Sequence, residues 1–333
     1  MSTGHQHSRL ESVISALIGC AFIAASLFIV FDRQYIIDQI AVWQFKPSAE
    51  INALADRSGV NNRGRFLYFA SQPEIQESKD FNSSCSRVEA VTSILGCYNN
   101  GRIYIYNVMD PQLDGVREVT AAHEMLHAVY VRLAATDKAQ VDNLLEAEYK
   151  KLALDQTFQQ KMAFYERAEP GQRDNELHSV IGTEVSAISP ELEAYYSKYF
   201  SDRQAVVSLN SKYITVFRTL EAQANGLKAQ MDSIASDISK RSDQYNIDVT
   251  QLDRDIQSFN YQADSALFDS QYQFNQRRSN LVGRVSALNN DKLYINGQVA
   301  AYNALVADYN SLATQSQSLY NSMDSTLAPS PSI

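Results

Sequence analysis

Five consecutive residues of this 333-residue chain, His123-Glu124-Met125-Leu126-His127, carry groups that could do chemistry together. They sit in a stretch of helical character, Val119-Thr120-Ala121-Ala122-His123-Glu124-Met125-Leu126-His127-Ala128-Val129-Tyr130. On an α-helix, positions i and i+4 share a face. Both imidazoles can therefore reach one ion, while the adjacent glutamate points into the same cleft. The H-E-x-x-H spacing suits metal-assisted hydrolysis of a peptide bond. Such a site needs three protein ligands and an open position, where zinc lowers the pKa of water and polarises the scissile carbonyl. A carboxylate beside the open position takes the proton and passes it to the leaving amine. On this reading His123 and His127 are ligands, Glu124 is the general base, Zn2+ is the cofactor and a peptide or protein is the substrate. The competing reading is an ordinary amphipathic helix whose histidines pack or face solvent.

Only five histidines occur: His5 and His7 near the start, then His123, His127 and His178. A third ligand is expected on a helix over residues 173–188, after the break at Glu169-Pro170-Gly171. It offers Glu176 as the leading candidate, with Glu184 and His178 as alternatives. Glu176 and His178 lie about 200° apart at ~3.6 residues per turn, so they cannot both face one ion. Tyr165, Tyr195 and Tyr196 are candidate hydrogen-bond donors to a developing oxyanion, or packing residues between helices.

H-E-x-x-H followed by a later helix opening Asn-Glu, here Asn175-Glu176, resembles the gluzincins, the thermolysin-like metallopeptidases. The resemblance covers about residues 62–190 and implies a zincin-like α+β domain with Glu176 as third zinc ligand. Gluzincins often place an aspartate four residues after that glutamate to orient a zinc histidine. Here the position is Val180, so a partner is expected from elsewhere, with Ser179 or Thr183 as candidates. The gap between His127 and Glu176 is also long for the family. The metzincin extension H-x-x-G-x-x-H is absent.

The elements that must position these residues are partly legible. Ser48 caps a helix over residues 49–57 that Gly59 closes. Residues 65–70, 89–98 and 102–108 read as strands, the last two joined by the hairpin signal Asn99-Asn100-Gly101. The strand over 102–108 is expected at a sheet edge, free to pair with an extended peptide. Residues 116–189 read as helices. After Pro190, apolar residues recur at three- and four-residue steps, among them Leu220, Leu227, Met231 and Ile238, and later Leu288, Ile295, Val299 and Val306. This is a heptad pattern, with phase slips near residues 245–249, 270–274 and 281–285. It implies a coiled coil, folded back at one of the slips or associating with itself or a protein partner.

Composition constrains the setting. There are 29 Lys and Arg against 38 Asp and Glu, a net charge of -9, and no basic block that would suit nucleic acid. Residues 12–31 are uncharged and almost wholly apolar, enough to span a bilayer as a helix. A cleaved signal peptide is the alternative, but the apolar run continues past Ala24-Ala25-Ser26. Residues 34–45 then read as a juxtamembrane amphipathic helix with Trp43 near the interface, or as a helix that simply packs on the domain. Cys85 and Cys97 are expected to form a disulfide, which places the body outside the cytoplasm. An inward-facing protease with free thiols is the alternative.

The expected organisation is an N-terminal tail (1–11), a transmembrane helix (12–31), a juxtamembrane helical segment (32–61) and a zincin-like metallopeptidase domain (62–200). A coiled coil (201–327) and a disordered tail (328–333) follow. The fold class is mainly α, with a small antiparallel sheet in an α+β catalytic domain. The expected function is that of a single-pass membrane-anchored zinc metallopeptidase. The alternative is a structural membrane-tethered coiled-coil protein whose zincin domain is inactive or merely binds metal.

Overall fold

The computed structural model describes residues 33–85, 94–168 and 170–326. The expected transmembrane helix, both tails and half of the strand expected over 89–98 lie outside them. Among the described residues, no helix is long and apolar enough to cross a membrane. The chain divides into two compact units, one covering Met1–Val216 and Leu319–Ile333, the other Phe217–Ser318.

The first unit is mainly helical with a three-stranded sheet. In chain order it begins with helices α1 (Arg33–Gln44), α2 (Ala49–Arg57) and α3 (Asn62–Ala70), then strand β1 (Glu74–Gln76) and helix α4 (Ser78–Ser84). Strands β2 (Gly96–Asn99) and β3 (Arg102–Tyr106) lead to the buried helix α5 (Val116–Val131). Helices α6 (Ala135–Lys151), α7 (Gln156–Ala168), α8 (Arg173–Glu184) and α9 (Pro190–Tyr196) follow. The long helix α10 (Arg203–Asp264) starts in this unit.

Local signals account for several boundaries. Ser48 accepts a hydrogen bond from the Ile51 amide at 3.1 Å and starts α2, as its sequence suggests. Asn100 and Gly101 both take positive φ, +51° and +81°, and turn β2 antiparallel onto β3. That is the backbone a two-residue hairpin requires. Cys85 and Cys97 form the expected disulfide, tying the end of α4 to β2.

Four expectations need correction. Residues 65–70 are not a strand but the body of α3. Asn61 caps that helix, accepting from the Gly64 amide at 3.0 Å, and Gly64 and Tyr68, four residues apart, turn one buried face inward. The continuous apolar run Phe66-Leu67-Tyr68-Phe69-Ala70 fits a strand or a buried helix equally by pattern. The sheet is also mixed rather than antiparallel, with β1 parallel to β3 and β2 antiparallel to it. β3 is consequently the central strand, in the order β1-β3-β2, and not an edge. It is buried because α5 covers one face, against which Ile103 and Ile105 are fully buried. The edge beside α5 belongs to β2. Finally, the helix expected over 173–188 stops at Glu184, and Arg203 donates to the Val185 and Ser186 carbonyls beyond its end.

α5 is buried almost all round, with Met125, Leu126 and Ala128 fully inaccessible. It packs most extensively against α8, and Gly182 permits the close approach. A Cβ there would sit 2.4 Å from Leu126 Cδ1 and 2.8 Å from Tyr196 Cε1.

The second unit consists of the rest of α10 and most of α11 (Gln271–Met323), which run antiparallel on either side of a turn at residues 265–270. The turn adjoins one of the phase slips in the heptad pattern. Arg284 pairs with Asp255 at 2.6 Å, and the Tyr294 hydroxyl donates to Asp237 at 3.0 Å. Near the turn, the rings of Phe259, Phe268 and Phe274 lie 5.1–5.3 Å apart, centroid to centroid.

Candidate metal centre

His123 and His127 project from one face of α5, with ring centroids 4.7 Å apart. α8 crosses that face and brings Glu176 between them. Its Oε2 lies 3.5 Å from His123 Nε2 and its Oε1 lies 3.3 Å from His127 Nε2. One ligand atom from each of the three residues can be chosen so that all lie within 4.8 Å of one another. A tetrahedral ion at ~2.0–2.1 Å from each ligand holds ligand atoms roughly 3.3–3.4 Å apart. The two histidine–carboxylate separations are close to that span, each to a different oxygen of Glu176. They are long for charge-assisted hydrogen bonds, which run at about 2.7–2.9 Å. The donor set, two imidazole nitrogens and a carboxylate, is also one that binds zinc-like ions.

The electrostatics favour a cation. At His123 burial depresses the pKa, but the Glu176 carboxylate, with smaller contributions from Glu124 and Glu184, outweighs it and leaves the pKa raised. At His127 burial prevails over Glu176 and leaves the pKa lowered, with His123 adding to the effect. Glu176 is only 2% exposed, so its charge has little solvent to stabilise it. The His127 Nδ1 is buried and has no hydrogen-bond partner among the described residues. Glu176, and after it the neighbouring Asn175, act on His127 to raise its pKa. Thr183, one of the two residues expected to orient a histidine, instead donates to the Ser179 carbonyl of its own helix. Asn175 was missed as a neighbour of the histidines, although its position immediately before Glu176 is a readable signal.

The site opens into a cleft of about 620 Å³. Glu124 lines it beside the histidines and packs against β2, where a Cβ on Gly96 would lie 2.7 Å from Glu124 Oε1. The other wall carries Lys161 and Tyr165 of α7 and Tyr213 of α10. The Tyr165 ring stacks on His123 at 6.4 Å.

The alternative ligands go elsewhere. Glu184 reaches the cleft but forms an ion pair with Lys161 and is not among the three converging residues. His178 points away from them into the core, with its Nε2 2.8 Å from the Tyr195 hydroxyl. Burial, with His127 and His123 adding to it, pushes its pKa down to about 3. Tyr195 and Tyr196 belong to this packing layer, the Tyr196 hydroxyl donating to the His178 carbonyl at 2.7 Å. Neither lines the cleft, which leaves Tyr165 as the member of the three candidate donors beside the histidines.

No protein-family model, no curated protein and no solved structure matches this chain.

Proposed function

We propose that the protein is a zinc-dependent endopeptidase of gluzincin type, with His123, His127 and Glu176 as metal ligands and Glu124 as general base. The observation that carries this is the convergence of one potential ligand atom from each of the three residues within 4.8 Å, beside a carboxylate that a structural site would not need. Zinc bound there would supply Lewis acidity and lower the pKa of a coordinated water. Glu124 stands beside that position to accept the proton and return it to the leaving nitrogen. Tyr165, which lines the cleft with its ring stacked on His123, would donate to a developing oxyanion. The β2 edge along the cleft offers backbone groups to which an extended peptide can add as a further strand.

The apolar run over residues 12–31 supports a single-pass membrane anchor. The Cys85–Cys97 disulfide supports an extracytoplasmic catalytic domain. The long helical hairpin supports a role in self-association or in holding a protein partner.

The purified full-length protein is expected to cleave a mixed peptide pool. Cleavage should stop with a chelator and return when zinc is restored. Stoichiometric zinc without any cleavage would instead favour a structural, merely metal-binding domain.

Gly96 supplies a second test of this site. A methyl group there would sit 2.5 Å from Thr120 Cγ2 and 2.9 Å from Glu124 Cγ, so β2 or the α5 side chains facing it, Glu124 among them, must shift. Misplacing a catalytic group by about 1 Å costs up to ~100-fold in rate. Gly96→Ala is expected to lower kcat by about 10–100-fold with zinc content unchanged. An unaltered kcat would show that β2 does not position Glu124.

A further inference from the structure

α1 is amphipathic in the inverted sense. Its one buried residue is an aspartate, Asp38, whereas Tyr35, Ile37, Ile40 and Trp43 are 54%, 46%, 50% and 84% exposed. Ile37, Ile40 and Trp43 follow at three-residue steps and form one outward stripe. The inward face is held by a polar clamp. Arg132, at the end of α5, donates through Nε and Nη2 to the two Asp38 carboxylate oxygens, both at 2.9 Å. Its Nη1 donates to the Tyr98 hydroxyl of β2, also at 2.9 Å. The pair is nearly dry, with the two side chains 10% and 5% exposed. This geometry fixes which face of α1 turns outward. It also joins α1 through one guanidinium to the metal-bearing helix and to the edge of the cleft.

We infer that α1 lies flat in the headgroup region of a lipid bilayer, with Ile37, Ile40 and Trp43 turned into the acyl boundary. This rests on the membrane-anchored reading. A lipid surface fits for three reasons. The uncharged apolar run over residues 12–31 ends two residues before α1 begins, so an anchored chain delivers the helix to the interface. The exposed residues are an amphipathic aromatic and two branched aliphatics, the types that settle at that depth. Arg33 and Lys46, at the two ends of the segment, are exposed and match anionic headgroups. The consequence is functional. The cleft is held beside the bilayer through Arg132, so its substrate is a polypeptide segment presented close to the membrane surface.

Trp43 is the chain's single tryptophan, so its emission reports on this face alone. A helix standing along the bilayer normal would carry Trp43 about 15 Å beyond Arg33 at ~1.5 Å per residue, out of contact with acyl chains. The full-length protein is therefore reconstituted into vesicles of phosphatidylcholine and phosphatidylglycerol, with and without bromine on one acyl chain of the phosphatidylcholine. Flotation of the vesicles reports the anchor separately. The expected result is that the protein floats and that brominated lipid removes most of the Trp43 emission. The double variant Ile37→Asn/Ile40→Asn should lose most of that quenching while keeping its zinc, which shows that the domain still folds. Protein that floats but is quenched by aqueous acrylamide and not by brominated lipid would overturn the inference and leave the anchor standing. Shielding from both quenchers would also overturn it and indicate a protein cover. Failure to float would remove the anchor and this inference together, without touching peptide hydrolysis measured in detergent.

Discussion

Glu176→Ala is expected to leave the purified protein without zinc, whereas Glu184→Ala should retain it in full. Both carboxylates reach the same cleft, but their surroundings differ. Glu176 is 2% exposed and sits 3.3–3.5 Å from both imidazoles. Its removal leaves two neutral ligands and no charged one to balance a divalent cation. Glu184 already neutralises Lys161 across the cleft wall. Losing even an outer-shell partner of a metal ligand typically costs about 10–100-fold in affinity, and a lost ligand costs more. Metal analysis after dialysis, with circular dichroism to confirm folding, decides the matter. Zinc that survives in Glu176→Ala and vanishes in Glu184→Ala would refute the assignment. The same measurement carries a pH signature. Both histidines must be neutral to bind, so acidification should release the metal, and lowering pH should weaken retention rather than strengthen it.

Glu124→Gln is expected to abolish hydrolysis while leaving the metal bound. The substitution preserves side-chain volume where Glu124 packs against Gly96 and Thr120, so α5 and the histidines on it should stay in place. What it removes is a base. Proton transfer by a positioned side chain contributes about 10²–10⁴-fold to a rate, and an amide cannot replace it at neutral pH. The expected outcome is a fall of at least about 100-fold in kcat with zinc content equal to wild type. Unchanged turnover would exclude Glu124 as the base. Loss of zinc along with activity would make Glu124 part of the binding site.

These three variants separate features of the site that were unequally legible in the chain. The pair His123 and His127 follows from helix geometry alone, because a four-residue step returns to the same face whatever surrounds it. The placement of Glu124 beside them follows likewise. The choice among Glu176, Glu184 and His178 does not. It depends on where α8 crosses α5, which is set by the close approach at Gly182 and by Leu126 and Tyr196 packed against it. It also depends on Lys161, which arrives from α7 to occupy Glu184.

The sequence by itself determined whatever is encoded within a few residues. That includes the two histidines on one helix face, the helix capped by Ser48, the Asn100-Gly101 hairpin and the long helices of the second unit, because helical spacing, capping, positive φ and apolar periodicity are local properties. The tertiary structure decided what depends on partners distant in the chain. β3 is central because β1 pairs on its other side, and the edge along the cleft is β2. Residues 65–70 are helical because Asn61 caps them and Tyr68 is buried. α1 turns its apolar stripe outward because Arg132, from the end of α5, holds Asp38 inside. A hydrophobic pattern says that a face must be covered but not by what. A buried ion pair fixes which face turns in, and only the folded chain brings its two halves together.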